Sequence, residues 1–174
     1  MTSKNFRTHF LDQASRFMAG FATRKKGDAE FDAYCAKIRD EQLARQARLN
    51  AMFLYFDKIG LGTVFANDKG DRFALIVPDA SAPGKFRYQQ FAPFGWINHH
   101  TCDSLDEVVF ECYEAGMRLP APQDTLDTMA KTHEWAKGTE KLFLITQVNQ
   151  GKLDWKTANE LSDKLDEKYA ALAA

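Results

Sequence analysis

Apolar residues recur at steps of three and four from Asn5 to Thr23, where Phe6, Phe10, Phe17 and Phe21, joined by Leu11, Ala14 and Met18, fall on one side of a helix. Gly27 and the basic run before it suit a helix end, and Asp28 suits the cap of the next. That second helix runs to Lys58 and Gly60, with Phe31, Cys35, Ile38, Leu49, Met52, Phe53 and Phe56 on its apolar side. Its middle, residues 37–48, is mostly polar and is expected to face water or a partner.

The pattern changes at Gly60. Through Thr101, glycine, proline, aromatic and β-branched residues replace the Ala, Glu and Lys of the helices. Four strands are predicted, at 63–66, 72–77, 86–91 and 96–101, the first two joined across Asn67-Asp68-Lys69-Gly70-Asp71. Their connections are too short for parallel crossovers, so the sheet is an antiparallel meander.

Ser104-Leu105-Asp106-Glu107 reads as a capping box, Ser104 accepting from the third helical N–H and Glu107 from the N–H of the cap itself. The helix it opens buries Val108, Val109, Cys112 and Tyr113 and ends at Gly116. Residues 117–119 suit a short edge strand. A helix is then expected from Asp124 through Lys137, with Leu126, Met129, His133 and Trp135 or Ala136 inward. A helical hairpin follows: 140–149, a turn at Gln150-Gly151-Lys152, and 154–172 with Ala158, Leu161, Leu165, Tyr169 and Leu172 as its stripe.

The fold class is therefore α+β: an antiparallel sheet of about four strands (60–101), N-terminal helices, one capped helix on the sheet (104–116) and a C-terminal helical region. At 174 residues the chain is one domain. It divides into an N-terminal helical pair (1–58), a sheet-containing core (60–119) and C-terminal helices (124–174).

Composition narrows the function classes. Hydrophobic residues are 45% of the chain and charged ones 27%, as in ordinary globular proteins, and the formal net charge is -1. A nucleic-acid role would need a local basic surface rather than the bulk field. Charge is nonetheless uneven, with 11 basic and 7 acidic groups in residues 1–58 against 8 and 14 in 103–174. Three cysteines without a CxxC pair give neither a disulfide scaffold nor a zinc ribbon, which fits a reducing, cytoplasmic location. No apolar run approaches the ~20 residues of a membrane span. The basic N-terminal segment has a transit-peptide composition, but Asp12 and its run into the next helix oppose cleavage.

The densest polar cluster is Asn98-His99-His100-Thr101-Cys102-Asp103. Strand alternation predicts His100 and Cys102 on one face with Trp96 and Asn98, so Cys102 as nucleophile with His100 as base is one catalytic reading. Ordinary strand-end packing accounts for the same residues, and no third triad member can be named. Two ligands do not make a metal site, His133-Glu134 has Lys at 137 where a zinc-protease helix needs His, and no phosphate-binding glycine loop occurs, so neither metal nor cofactor is expected. Arg87 and Tyr88, among Phe91, Phe94 and Trp96, are the candidates for stacking single-stranded bases. The basic helix, with Lys4, could also engage phosphates.

Missing catalytic signatures and abundant amphipathic helix favour a non-enzymatic binding or adaptor protein. Its partner is expected to be a protein or a second copy of the chain, met through Phe6, Arg7, Phe10, Arg16, Phe17, Arg24, Lys25 and Lys26. Docking of that same helix on its own domain is the plainer alternative.

Overall fold

Helix α1 (Ser3–Ala22) and helix α2 (Ala29–Ile59) open the structure, a computed structural model that describes residues 3–23 and 27–173. The side chains at 3–6, 13, 14 and 173 lie outside the described set. The Asp28 carboxylate caps α2 by accepting from the Phe31 N–H at 2.8 Å. Gly60 closes it at φ 80°, a left-handed conformation that glycine takes without a Cβ penalty, and its N–H donates to Phe56 O at 2.7 Å. Phe31, expected on the apolar side of α2, is exposed, whereas Cys35 one turn further on is buried.

The sheet is antiparallel and has five strands: β1 (Val64–Asn67), β2 (Phe73–Pro78), β3 (Phe86–Ala92), β4 (Gly95–Cys102) and β5 (Met117–Pro120), in the order β4-β3-β2-β1-β5. The first four form the meander, and the 117–119 segment joins it at the β1 edge. Helix α3 (Leu105–Glu114) lies between β4 and β5 in sequence. Ser104 Oγ accepts from the Glu107 N–H as expected, but the Glu107 carboxylate accepts from Asp103 N–H, one residue before the cap.

Each face of the sheet has its own core. On the first face Phe65, Ala74, Ile76, Tyr88 and Cys102 pack against Leu49, Met52, Phe53 and Phe56 of α2 and Val108, Val109 and Cys112 of α3. On the second, Val64, Ala66, Phe73 and Phe91 pack against Trp135, with Leu75, Trp96, Leu126 and Met129 half-buried around them. Alternation along the strands explains the division, since successive side chains point to opposite faces.

The C-terminal region departs from expectation in two places, since the helix that starts at His133 also runs unbroken through the expected break between 137 and 140. The helix expected over 124–137 is two: α4 (Thr125–Met129) and α5 (His133–Asn149), followed by α6 (Trp155–Ala173). Thr132 causes the break, its hydroxyl accepting from the Trp135 N–H at 3.1 Å as the cap of α5. Trp135 is buried and His133 is exposed at the outer start of α5. Ala158 and Tyr169 bury the α6 stripe, whereas Leu172 at its end is exposed.

Candidate functional site

Cys102 pairs with Phe86 across the β3–β4 ladder, and His100 with Tyr88, their rings 5.7 Å apart. The ladder slips between these pairs and the Phe91–Trp96 pair, so Ile97 is an extra residue on β4. Trp96 therefore lies on the second face with Phe91, not with Asn98, His100 and Cys102 as uninterrupted alternation requires. Cys102 is 3% exposed, and burial together with Glu107, Glu111 and Asp103 pushes its thiol up to about 12. A thiol so held is protonated at neutral pH, while His100 is exposed on the strand. Among the described residues no three His, Cys, Asp or Glu side chains are grouped to hold a metal ion.

Arg87 and Tyr88 sit on opposite faces. Tyr88 is buried in the first core, where desolvation pushes its hydroxyl up to about 12. Arg87 lies on the second face, 3.9 Å from Asp79, with its Nε buried and lacking an acceptor. The Asp79 carboxylate is held well below the usual range, chiefly by the Ser81 hydroxyl, then by Thr101 Oγ1 and the Ser81 N–H. Neighbours in sequence, the two residues cannot form one base-stacking platform.

Helix α1 splits in two. Arg7 grips Asp57 at 2.7 and 2.9 Å and Asp106 at 2.9 Å, and its guanidinium lies 4.3 Å from the Phe53 ring centre. Phe10 stacks on Phe110 at 3.6 Å between ring centres. Both serve the chain's own core. Further along, Arg16 is exposed and Phe17 is 38% exposed beside Phe21. Arg24, Lys25, Lys26 and the side chains of Phe6 and Lys4 lie outside the described residues.

A second cluster of exposed apolar residues lies at the other end of the chain. Helix α6 packs chiefly on α5. Their seam is pinned by Lys141 and Lys137 on Asp166, and by Lys168 and the Tyr169 hydroxyl on Glu140. Glu140 and Asp166 are both held below their ordinary pKa, Glu140 mainly by the Tyr169 hydroxyl and Asp166 mainly by Lys141. Beside the seam runs a groove of about 510 Å³, with Phe143, Leu144, Leu161 and Leu165 as its apolar lining and Lys164 and Lys168 on the rim. Phe143 is 61% exposed, and Leu142, Ile145 and Trp155 are exposed as well.

Around α5, Leu142 also bounds a second groove of about 580 Å³ against Leu75, Val77 and Trp96 of the sheet's second face, with Arg87 and Gln89 as its polar members. The grooves lie on different sides of one helix. Periodic reading of the sequence passed over Leu142-Phe143-Leu144-Ile145. The signal was available, because four consecutive apolar residues spread around most of a helix turn and no single packed face can bury them all. Searches of protein-family models, curated proteins and solved structures find nothing that matches this chain.

Proposed function

We propose that the chain is a non-enzymatic binding or adaptor protein whose docking surface is the α5–α6 hairpin, and that it accepts an amphipathic helix of a protein partner with acidic residues along one flank. The observation that carries this reading is the Phe143 groove, open and apolar beside a helix pair that is otherwise locked by ion pairs. A trough between two antiparallel helices has the shape a third helix fills. Lys168 on the rim is held by Glu140, but Lys164 beside it has no ion-pair partner among the described residues, so the flank that meets it is acidic. The polar middle of α2 fits a lesser role, since Arg45 pairs with Glu114, Lys37 with Glu41 and Arg39 with Asp40 within the chain. The buried, protonated Cys102 favours binding over thiol catalysis.

Photocrosslinking in cells tests this reading, with a benzophenone side chain at position 143 and a control at the solvent-facing Glu160. The expected result is a discrete adduct from position 143 alone, lost when Lys164→Glu reverses the free charge on the rim. No adduct, or the same adducts from both positions, refutes it.

A further inference from the structure

The sheet has two edges, and the chain treats them differently. β5 is four residues long, ends at Pro120 and is backed by α2. β4 is eight residues long and contains no charged side chain and no proline between Gly95 and Cys102. Edges left to solvent are ordinarily guarded by charge, proline, a bulge, shortness or cover, and β4 has a bulge at Ile97, ahead of residues 98–102. Among the described residues, α5 covers the start of β4, where Gly138 lies against the backbone of Phe94 and Gly95, and α3 packs on the end at Cys102. Asn98, His99 and His100 are exposed.

The direction of the edge groups follows from the ladder. Ile76 turns its backbone to the β1 side, its N–H donating to Thr63 O at 3.0 Å and its carbonyl accepting from Gly62 N–H at 2.8 Å. Antiparallel alternation then turns Arg87 and Gln89 toward β2, and Tyr88 toward its partner His100. The N–H and C=O groups of His99 and Thr101 consequently point away from β3. No backbone partner for them exists among the described residues. The Ile97 bulge limits the regular part of this edge to residues 98–102.

We infer that residues 98–102 are a self-pairing edge: two copies of the chain join β4 to β4, antiparallel, about a two-fold axis at His100. His99 of each copy then meets Thr101 of the other, and the four outward groups of each copy are satisfied by those of its twin. Self-pairing suits this edge because antiparallel symmetry brings its own outward residues opposite one another, and an uncharged strand offers nothing to repel its copy. The two imidazoles of His100 become a non-hydrogen-bonded pair, the closest side-chain approach an antiparallel ladder offers. Five residues bury little area, so the dimer is a weak one that forms with rising concentration. This inference stands apart from the α5–α6 groove, and a Phe143→Ser variant leaves it intact.

Sedimentation of the full chain from about 10 µM to about 1 mM, the range where small interfaces associate, is the test. The weight-average mass is expected to rise from the 19.8 kDa of one chain toward twice that, and the His99 and Thr101 amides are expected to gain protection from hydrogen exchange in step with it. His99→Pro removes one outward N–H without removing a bond to β3, and His100→Lys sets two like charges across the axis. Each variant should remain monomeric at every concentration with an unchanged circular dichroism spectrum. If His99→Pro fails to fold, His100→Lys alone decides. A wild-type chain that stays monomeric throughout, a dimer with unprotected His99 and Thr101 amides, or a His100→Lys variant that associates like wild type overturns the inference.

Discussion

Replacing Arg7 with Ala removes the clasp that fastens α1 to both α2 and α3. The Asp57 contact is bidentate, but Asp57 is half exposed, so solvent screening leaves it about 0.5 kcal/mol. Asp106 is different: its side chain is 11% exposed, and loss of the guanidinium leaves a buried carboxylate short of a donor, a cost of about 1.5–3 kcal/mol. The N-terminus of α3 still favours its charge, which holds the value toward the lower end. Contact of the cation with the Phe53 ring adds about 0.5–1 kcal/mol. The expected total is about 2.5–3.5 kcal/mol, read as a lower urea midpoint at unchanged slope. A double-mutant cycle with Asp106→Ala should return a coupling of at least about 1 kcal/mol. A loss under about 1 kcal/mol together with zero coupling would refute the docking of α1, and with it the argument that moves the partner surface away from this helix.

Gly138→Ala would set a methyl 1.6 Å from the Phe94 carbonyl oxygen, so α5 must shift off β4. A loss of about 3 kcal/mol or more and a red shift of Trp135 emission are expected, and a variant as stable as wild type contradicts that contact. All three cysteines are buried and the Cys102 thiol stands at about 12. Native Cys102 should alkylate at neutral pH about a thousandfold more slowly than a free thiol, and a rate equal to that of unfolded protein rules this out. The depressed pKa of Asp79 contributes stability that is complete above the unfolded value of about 3.9 and disappears as pH falls through the lower folded value. Asp79→Asn should therefore be less stable than wild type at pH 7, with a gap that narrows progressively below about pH 4 in urea titrations. A constant gap from pH 7 to pH 2 counts against the Ser81 and Thr101 bonds as its origin.

Much of the architecture follows from local rules that act within a few residues. Asp28 and Ser104 cap their helices because a short oxygen side chain reaches an N–H three positions on, a distance set by helix geometry alone. The meander was legible for the same reason: Asn67 to Asp71 cannot reach across to a parallel strand. The break at Thr132 was legible in principle, yet Leu126, Met129, His133 and Ala136 continue a helical spacing across it. Periodicity alone reads through a cap of this kind.

The site was less legible, because faces and partners are not local quantities. One extra residue at Ile97 reverses the side of every residue before it on β4, and only the pairing with β3 shows where it falls. Arg7 reads as a free basic side chain until Asp57 and Asp106 arrive from 50 and 99 residues away. The sequence by itself determined the α+β class, most of the elements and the burial of Phe53 and Phe56 on α2, since spacing and turn chemistry are written in neighbouring residues. Tertiary structure alone decided which surfaces remain open: Arg7 of α1 is committed to the core, α6 leans chiefly on α5, and Phe143 and residues 98–100 of β4 are left to solvent. The reason is that burial depends on what else in space competes for the same face.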